Sequence, residues 1–232
     1  TTSTSNGSVN GMHDSLMPLS CGVVMIDMMI NALYGGVGVG LLNYYIFIII
    51  AVFISGLMVG RTPEFMGHKV EAREVKIAAI VTILCAFLIK VGTAFASYIF
   101  VHYPNANWAE KPSAWLNNPG YHGFSEMLYQ YTSCTANNGS GFEGLGDNSI
   151  WWNITGGIVM LLGRFIPIIG PVAIAGILAN KKYIPESSGT LRTDTVTFGV
   201  MTIAVIVIVT ALSYFPPLTL GPIAEFFSMH GH

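Results

Sequence analysis

The chain has 232 residues, 52% of them hydrophobic and only 9% charged, with a formal net charge of −2. A soluble domain carries roughly 25% charged residues, so too few ionic groups remain to cover a water-soluble globule of this size, and nothing in this charge balance suggests a nucleic-acid partner. Cys21, Cys85 and Cys134 have no metal-like spacing and Cys85 sits inside an apolar run, so no disulfide framework is expected. No signal peptide is expected, and the opening residues read as lying inside a motif. The expectation is an all-α polytopic membrane protein, or a piece of one.

A polar phrase, "STSNGSVNG" (Ser3–Gly11), opens the chain, and a methionine-rich run follows over Leu16–Tyr34. A spanning helix needs roughly 20 mostly apolar residues. Leu41–Gly60, Lys76–Val101, Ile150–Ala179 and Thr195–Tyr214 all qualify. One straight helix from Ser15 to Gly60 would measure about 69 Å, over twice a bilayer core of about 30 Å. That stretch must break or protrude, and the glycines at 35, 36, 38 and 40 are the expected place, because glycine weakens helix. Arg61, Lys69, Arg73 and Lys76 occupy one loop; Lys181, Lys182 and Arg192 occupy another. The long stretch His102–Asn148 holds only Lys111. The positive-inside rule then puts the two basic loops in the cytoplasm and the long one outside.

Inside that long stretch lies "GFSEMLYQYT" (Gly123–Thr132), followed by the polar, glycine-rich "TSCTANNGSGFEGLG" (Thr132–Gly146). Ten residues of helix span about 15 Å, half the bilayer core. Such a half-helix predicts a re-entrant segment that stops midway and returns as extended backbone over Ala136–Ser140. Its C-terminal end would favour a cation there, and carbonyls freed from helix pairing would serve as ligands for it. At an offset of 132 residues, Asn6-Gly7-Ser8 repeats Asn138-Gly139-Ser140. Alone, Asn-Gly-Ser is a turn signal or a glycosylation acceptor. The half-length helix and the second copy favour instead a repeated unit of helix, pore helix, filter strand and helix.

Several stretches together resemble one family. "GLMVGRTPEFMGHKVEAREVK" (Gly56–Lys76), "NPGYHGFSEMLY" (Asn118–Tyr129), "ANNGSGFEGL" (Ala136–Leu145), "GRF" (Gly163–Phe165), "AIAGILANKK" (Ala173–Lys182), "SSGTL" (Ser187–Leu191) and "LGPIAE" (Leu220–Glu225) are similar to motifs of the potassium-transporting ATPase A subunit, the KdpA family. The resemblance covers the chain end to end and implies the C-terminal part of a subunit with four fused membrane–pore–membrane repeats, starting inside the third pore loop. On that reading residues 1–60 hold the third filter loop and a broken helix, 61–75 a cytoplasmic loop, and 76–180 the fourth repeat. That repeat has its pore helix at 123–132, its filter at 133–140 and a helix at 150–179. A second cytoplasmic loop covers 181–194, and a last helix with an outer tail covers 195–232.

The resemblance also implies a role and partners. The role is that of a non-catalytic, potassium-selecting subunit in the cell membrane. Its partners would be a P-type ATPase B subunit that hydrolyses ATP, a single-span C subunit, a small F peptide, the N-terminal half of the same subunit, and membrane lipid. Potassium would be the transported ion, with no organic cofactor and no transition metal. It would be held by Thr4, Ser5, Asn6 and Gly7 of the third strand and Ala136, Asn137, Asn138 and Gly139 of the fourth. The interrupted segment around Asn31, Gly35 and Gly36 resembles the family's broken helix below the filter, implicated in gating. Where family members often carry glutamate, this chain has Asn31, which supplies only a carbonyl dipole.

Arg164 falls near the middle of an apolar run, where an unpaired arginine costs about 2.5–3.5 kcal/mol. It either faces the ion pathway, matching the family's GRF arginine, or is a structural arginine bonded to carbonyls. Lys90 is expected to snorkel. Asp27 is expected near membrane depth, as a substitute charge or a structural hydrogen-bonding group. His13-Asp14 invites a general-base reading and His122 with Glu126 a metal, but both pairs read as solvent-facing mouth residues. Met17, Met25, Met28 and Met29 read as adaptable packing. Three rival functions stand beside the pump component. They are a passive channel or symporter component of the Trk/Ktr/HKT type, a membrane enzyme using His13, Asp14 or His122, and a plain helical anchor. The Gly56–Lys76 loop favours the pump.

Overall fold

A computed structural model describes residues 1–36, 38–185 and 192–231. Val37 of the glycine series and the motif at 187–191 lie outside the described residues. The helices, in chain order, are α1 (Pro18–Tyr34), α2 (Gly40–Val59), α3 (Ala72–His102), α4 (Tyr121–Ala136), α5 (Ile150–Ala179), α6 (Val196–Leu220) and α7 (Pro222–His230). Between α2 and α3 sits a short hairpin, β1 (Glu64–Phe65) and β2 (His68–Lys69), paired antiparallel with Phe65 opposite His68. Met66 and Gly67 make its turn with φ of 50° and 76°, the positive pair that tight hairpins favour.

α1 begins on a proline, whose missing N–H costs nothing in a first turn. It ends at Gly35, in the left-handed conformation with φ 76°, whose N–H reaches Asn31 O at 2.6 Å. Gly36 and Gly38 also have positive φ, so the chain turns and α2 starts afresh at Gly40. The helix thus breaks in the glycine series. Its two pieces, about 26 and 30 Å long at about 1.5 Å per residue, each fit within a bilayer.

α3 opens with a reciprocal capping box between Glu71 and Glu74. Lys181, just beyond α5, joins it: Nζ lies 3.0 Å from Glu71 Oε2, 2.9 Å from Glu74 Oε1, and donates to Lys69 O at 2.9 Å. The hydrogen bond and charge of Lys181 hold the Glu71 carboxyl below its usual range. Partial burial opposes the Lys181 charge, but the two carboxylates outweigh it and raise its pKa. This clamp ties the end of α5 to the start of α3.

The outward faces are apolar. On α5, Ile150, Ile154, Ile158, Leu161, Phe165, Ile169 and Val172 are exposed at three- and four-residue spacing, a stripe that a soluble helix would fill with charge. Four helical segments are long and apolar enough to cross a membrane: Gly40–Val59, Ala72–His102, Ile150–Ala179 and Val196–His230. Pro167 and Pro171 inside α5 fit the same setting, where neighbouring helices re-satisfy the freed backbone groups. The protein is an all-α polytopic membrane protein.

α4 reverses the pattern. Ser125, Glu126, Thr132, Ser133 and Thr135 are all buried, on a helix packed against α1, α3 and α5. Thr132 and Thr135 donate back to Leu128 O (2.7 Å) and Tyr131 O (2.8 Å), satisfying their hydroxyls within the helix. The expected ten-residue helix is therefore sixteen residues long, about 24 Å, and takes in Ser133–Ala136, which were expected in the filter strand. The tail after α6 is also folded: the chain turns at Gly221 and α7 packs on α1 and α4.

Candidate functional site

Both polar phrases lie at the C-terminal end of α4, and they touch. Ala136 is the last helical residue, and Asn137 caps the helix in the left-handed conformation. Asn137 N and Asn138 N donate to Cys134 O (3.1 Å) and Ser133 O (3.0 Å), closing the helix end. Beyond it the two copies take the same backbone pattern. Ser5 and Gly7 have φ of 59° and 76°, and Asn137 and Gly139 have φ of 54° and 96°, each pair separated by one asparagine without positive φ. Each asparagine folds its own loop: Asn6 Oδ1 accepts from Ser8 N at 3.0 Å, and Asn138 Oδ1 from Ser140 N at 3.1 Å. Alternating backbone hand turns successive peptide planes, which non-glycine residues rarely adopt unaided.

The phrases are stitched together. Asn138 Nδ2 donates to Thr1 O (2.7 Å) and Thr2 O (3.0 Å), and Ser5 Oγ to Ala136 O (3.5 Å). A Cβ on Gly7 would stand 2.4 Å from Asn138 O, so only glycine lets the strands approach this closely. Ser140 Oγ meets the Tyr129 hydroxyl at 2.8 Å and bonds Asn138 Oδ1 at 2.8 Å, anchoring the second loop to α4. Thr4, Asn6 and Gly139 are exposed, and nothing lies within 4 Å of the position a Gly139 Cβ would take.

The helix break joins this site. A Cβ on Gly36 would meet Ser5 Oγ at 2.5 Å and Asn31 Oδ1 at 3.4 Å. Asn31 is 1% exposed and its Oδ1 has no hydrogen-bond partner among the described residues. Arg164 Nη1 donates to Gly35 O at 3.2 Å, so the intramembrane arginine sits on the carbonyl end of α1. Gly163, beside it, presses its missing side chain against the Thr135 backbone, 2.5 Å from O. All twelve residues proposed from sequence therefore gather in one region, with Ala136 as the helix end rather than extended strand. Lys90 is exposed and Asp27 half-buried.

The histidine and carboxylate residues at the start of α4 are not solvent-facing. Asp14 and Glu126 are 5% and 0% exposed. His122, with an 11% exposed side chain, bridges Asp14 Oδ1 (Nε2, 3.1 Å) and Glu225 Oε1 (Nδ1, 2.9 Å). Burial opposes the charge on His122, but Glu225 and Asp14 outweigh it and raise the imidazole pKa above 6.5. His13, by contrast, is lowered by burial and packs edge-on to Tyr129 and Phe142. Sequence spacing missed this cluster because Asp14, Asn118 and Glu225 converge only through the packing of α7 and the α1 turn on α4.

The class is thus a polytopic membrane protein with two polar loops in contact at the C-terminal end of one of its helices, beside a broken helix. The KdpA family, Potassium-transporting ATPase A subunit, matches residues 1–227, and the chain belongs to it. It is 70% identical over 229 residues to the potassium-transporting ATPase potassium-binding subunit of Phocaeicola vulgatus, covering 99% of this chain and 40% of that protein. The protein of the same name from Parabacteroides distasonis is 67% identical over 230 residues, with 99% and 40% coverage. That of Alicyclobacillus acidocaldarius is 54% identical over 225 residues, with 97% and 38% coverage. The chain spans about 40% of the length of the relatives it matches.

Proposed function

We propose that this chain forms part of the potassium-binding and translocating subunit of an ATP-driven potassium uptake complex in the cell membrane. Potassium enters from outside through backbone-carbonyl filter loops, two of which are Thr4–Gly7 and Ala136–Gly139. ATP hydrolysis belongs to a partner B subunit, and a single-span C subunit and an F peptide complete the assembly. The reading is carried by the matched backbone of the two phrases: the same alternation of hand and the same asparagine turn, 132 residues apart, brought into contact. A plain turn has no reason to recur in this way against a copy of itself. Carbonyls that leave helix pairing inside a membrane bundle need partners, and a dehydrated cation is one. Arg164 on Gly35 O and the Asn31 Oδ1, unpartnered among the described residues, lie next on the route, where the first restricts leak and the second offers a neutral ligand.

The test is potassium-stimulated ATP hydrolysis by the complete assembly, unmutated against Gly139→Asp. The open space at Gly139 admits the side chain, and aspartate tolerates positive φ better than most residues. The expected result is weaker potassium stimulation, or sodium substituting for it, in a complex that still assembles. Unchanged ion preference overturns the filter assignment. Potassium flux that persists without ATP at constant membrane potential favours the passive channel or symporter instead.

A further inference from the structure

We propose a second cation site, distinct from the paired phrases: Asp14, His122 and Glu126 bind a divalent transition cation of the zinc type, with Glu225 orienting the histidine. One ligand atom from each of the three lies within 4.8 Å of the others. The cluster joins the turn before α1, the first turns of α4, and α7.

The hydrogen bonds leave a defined set of lone pairs. Asn118 Nδ2 holds Asp14 Oδ2 at 3.1 Å, and Asn118 N holds Glu126 Oε1 at 3.2 Å. His122 Nδ1 faces Glu225 Oε1 at 2.9 Å, the carboxylate–histidine arrangement that fixes tautomer and ring orientation in zinc sites. With the Nδ1 proton given to Glu225, the Nε2 lone pair points at Asp14 Oδ1 across 3.1 Å. Two acceptors at that distance need a cation between them. A second proton on His122 would satisfy Asp14 alone. It would leave Glu126 Oε2, on a residue with 0% exposure, without any partner among the described residues. A metal satisfies all three.

Charge points the same way. Asp14 and Glu225 make their ion pairs, among the described residues, only with His122. Three carboxylates against one imidazolium leave two negative charges, and a divalent cation with neutral imidazole leaves one. One nitrogen and two carboxylate oxygens suit zinc, with water in a fourth position; calcium and magnesium favour all-oxygen sets. Zinc–ligand distances of about 2.0–2.2 Å place tetrahedral ligand atoms about 3.3–3.6 Å apart, so Asp14 Oδ1 and His122 Nε2, at 3.1 Å, must open slightly, and the three ligand atoms, all within 4.8 Å of one another, must settle around the ion.

The experiment is zinc binding to the purified complete complex after metal-free dialysis, read by metal analysis and titration calorimetry. One zinc per copy of this subunit is expected. His122→Gln and Glu126→Gln should each weaken binding at least 100-fold, and Glu225→Gln 10–100-fold, the range for a lost orienting carboxylate. Cobalt in place of zinc should give the visible bands of a four-coordinate ion, absent in His122→Gln. No stoichiometric zinc, or equal affinity in His122→Gln, overturns the site and leaves a shared proton as the counter-charge. If neither variant assembles, acylation of His122 by diethylpyrocarbonate in the unmutated complex, located by mass spectrometry, decides. Zinc must protect His122, and equal modification with and without zinc refutes the proposal. None of these readouts depends on the filter reading.

Discussion

Replacing Gly163 by alanine tests whether α5 sets the position of the second phrase. Gly163 is helical without positive φ, so alanine brings no backbone strain and gains about 1 kcal/mol of helix propensity. Its Cβ, however, would lie 2.5, 3.1 and 3.2 Å from O, Cα and C of Thr135. These are backbone atoms of α4, one residue before Ala136, and no side chain can swing away. Relief requires α4 and α5 to part by roughly an ångström at the C-terminal end of α4, an overpacking cost of about 1–3 kcal/mol. Gly157, on the same helix, has nothing within 4 Å of its missing Cβ, so Gly157→Ala takes the propensity gain without the clash. The assay is the potassium concentration giving half-maximal ATP hydrolysis by the complete complex. Gly163→Ala should raise it about tenfold, equivalent to about 1.4 kcal/mol, while Gly157→Ala stays near the unmutated value. Indistinguishable variants would refute the claim that α5 packing positions the phrase.

Gly36→Ala and Gly38→Ala share a positive-φ penalty of about 1–2 kcal/mol, with φ of 75° and 84°. Only Gly36 would also strike Ser5, so thermal melting of the complex should show Gly36→Ala as the less stable; equal melting would mean that the break does not rest on the first phrase. Lys181→Met strands the fully buried Glu74 carboxylate and should cost about 3 kcal/mol, near the low end for a broken buried pair because Lys181 is partly exposed. Glu71, whose folded pKa is depressed, contributes fully above 4.5 and loses its contribution as pH falls through the lower folded value. Lys181, whose folded pKa is raised, contributes fully below 10.5 and loses its contribution as pH rises through the higher folded value. The deficit of Lys181→Met in melting should therefore be largest below pH 10.5 and shrink as pH falls and the stranded Glu74 carboxyl, buried and without its Lys181 partner, takes up a proton; a deficit that grows toward acid pH would place its origin elsewhere.

The spans were legible because their signal is redundant: α5 begins and ends where its apolar run does, at Ile150 and Ala179. The break between α1 and α2 was legible because three glycines with positive φ leave few other conformations. The length of α4 was not. Its polar residues suggested loop from Ser133 onward, yet Thr132 and Thr135 bond their own helix backbone, a local choice that composition does not disclose. The α4 cluster was misread for a different reason. Asp14, His122 and Glu126 are polar residues near presumed water, and only tertiary packing shows that they are buried together.

Arg164 is where the separate observations meet. Its guanidinium reaches Gly35 O, at the end of α1 where helix carbonyls are unpaired and the dipole is negative. Its neighbour Gly163 fixes the distance from α5 to α4, and Gly36, next to its acceptor, rests on Ser5. One side chain thus stands at a junction of the helix break, the second-phrase helix and the first phrase. Position 31 carries no carboxylate to add charge at this helix end; its backbone O accepts from Gly35 N at 2.6 Å. Asn31 instead leaves a neutral oxygen, unpartnered among the described residues, beside Gly36. In this chain the arginine donates to the Gly35 carbonyl, and on the proposed ion route the Asn31 oxygen would serve as a neutral ligand.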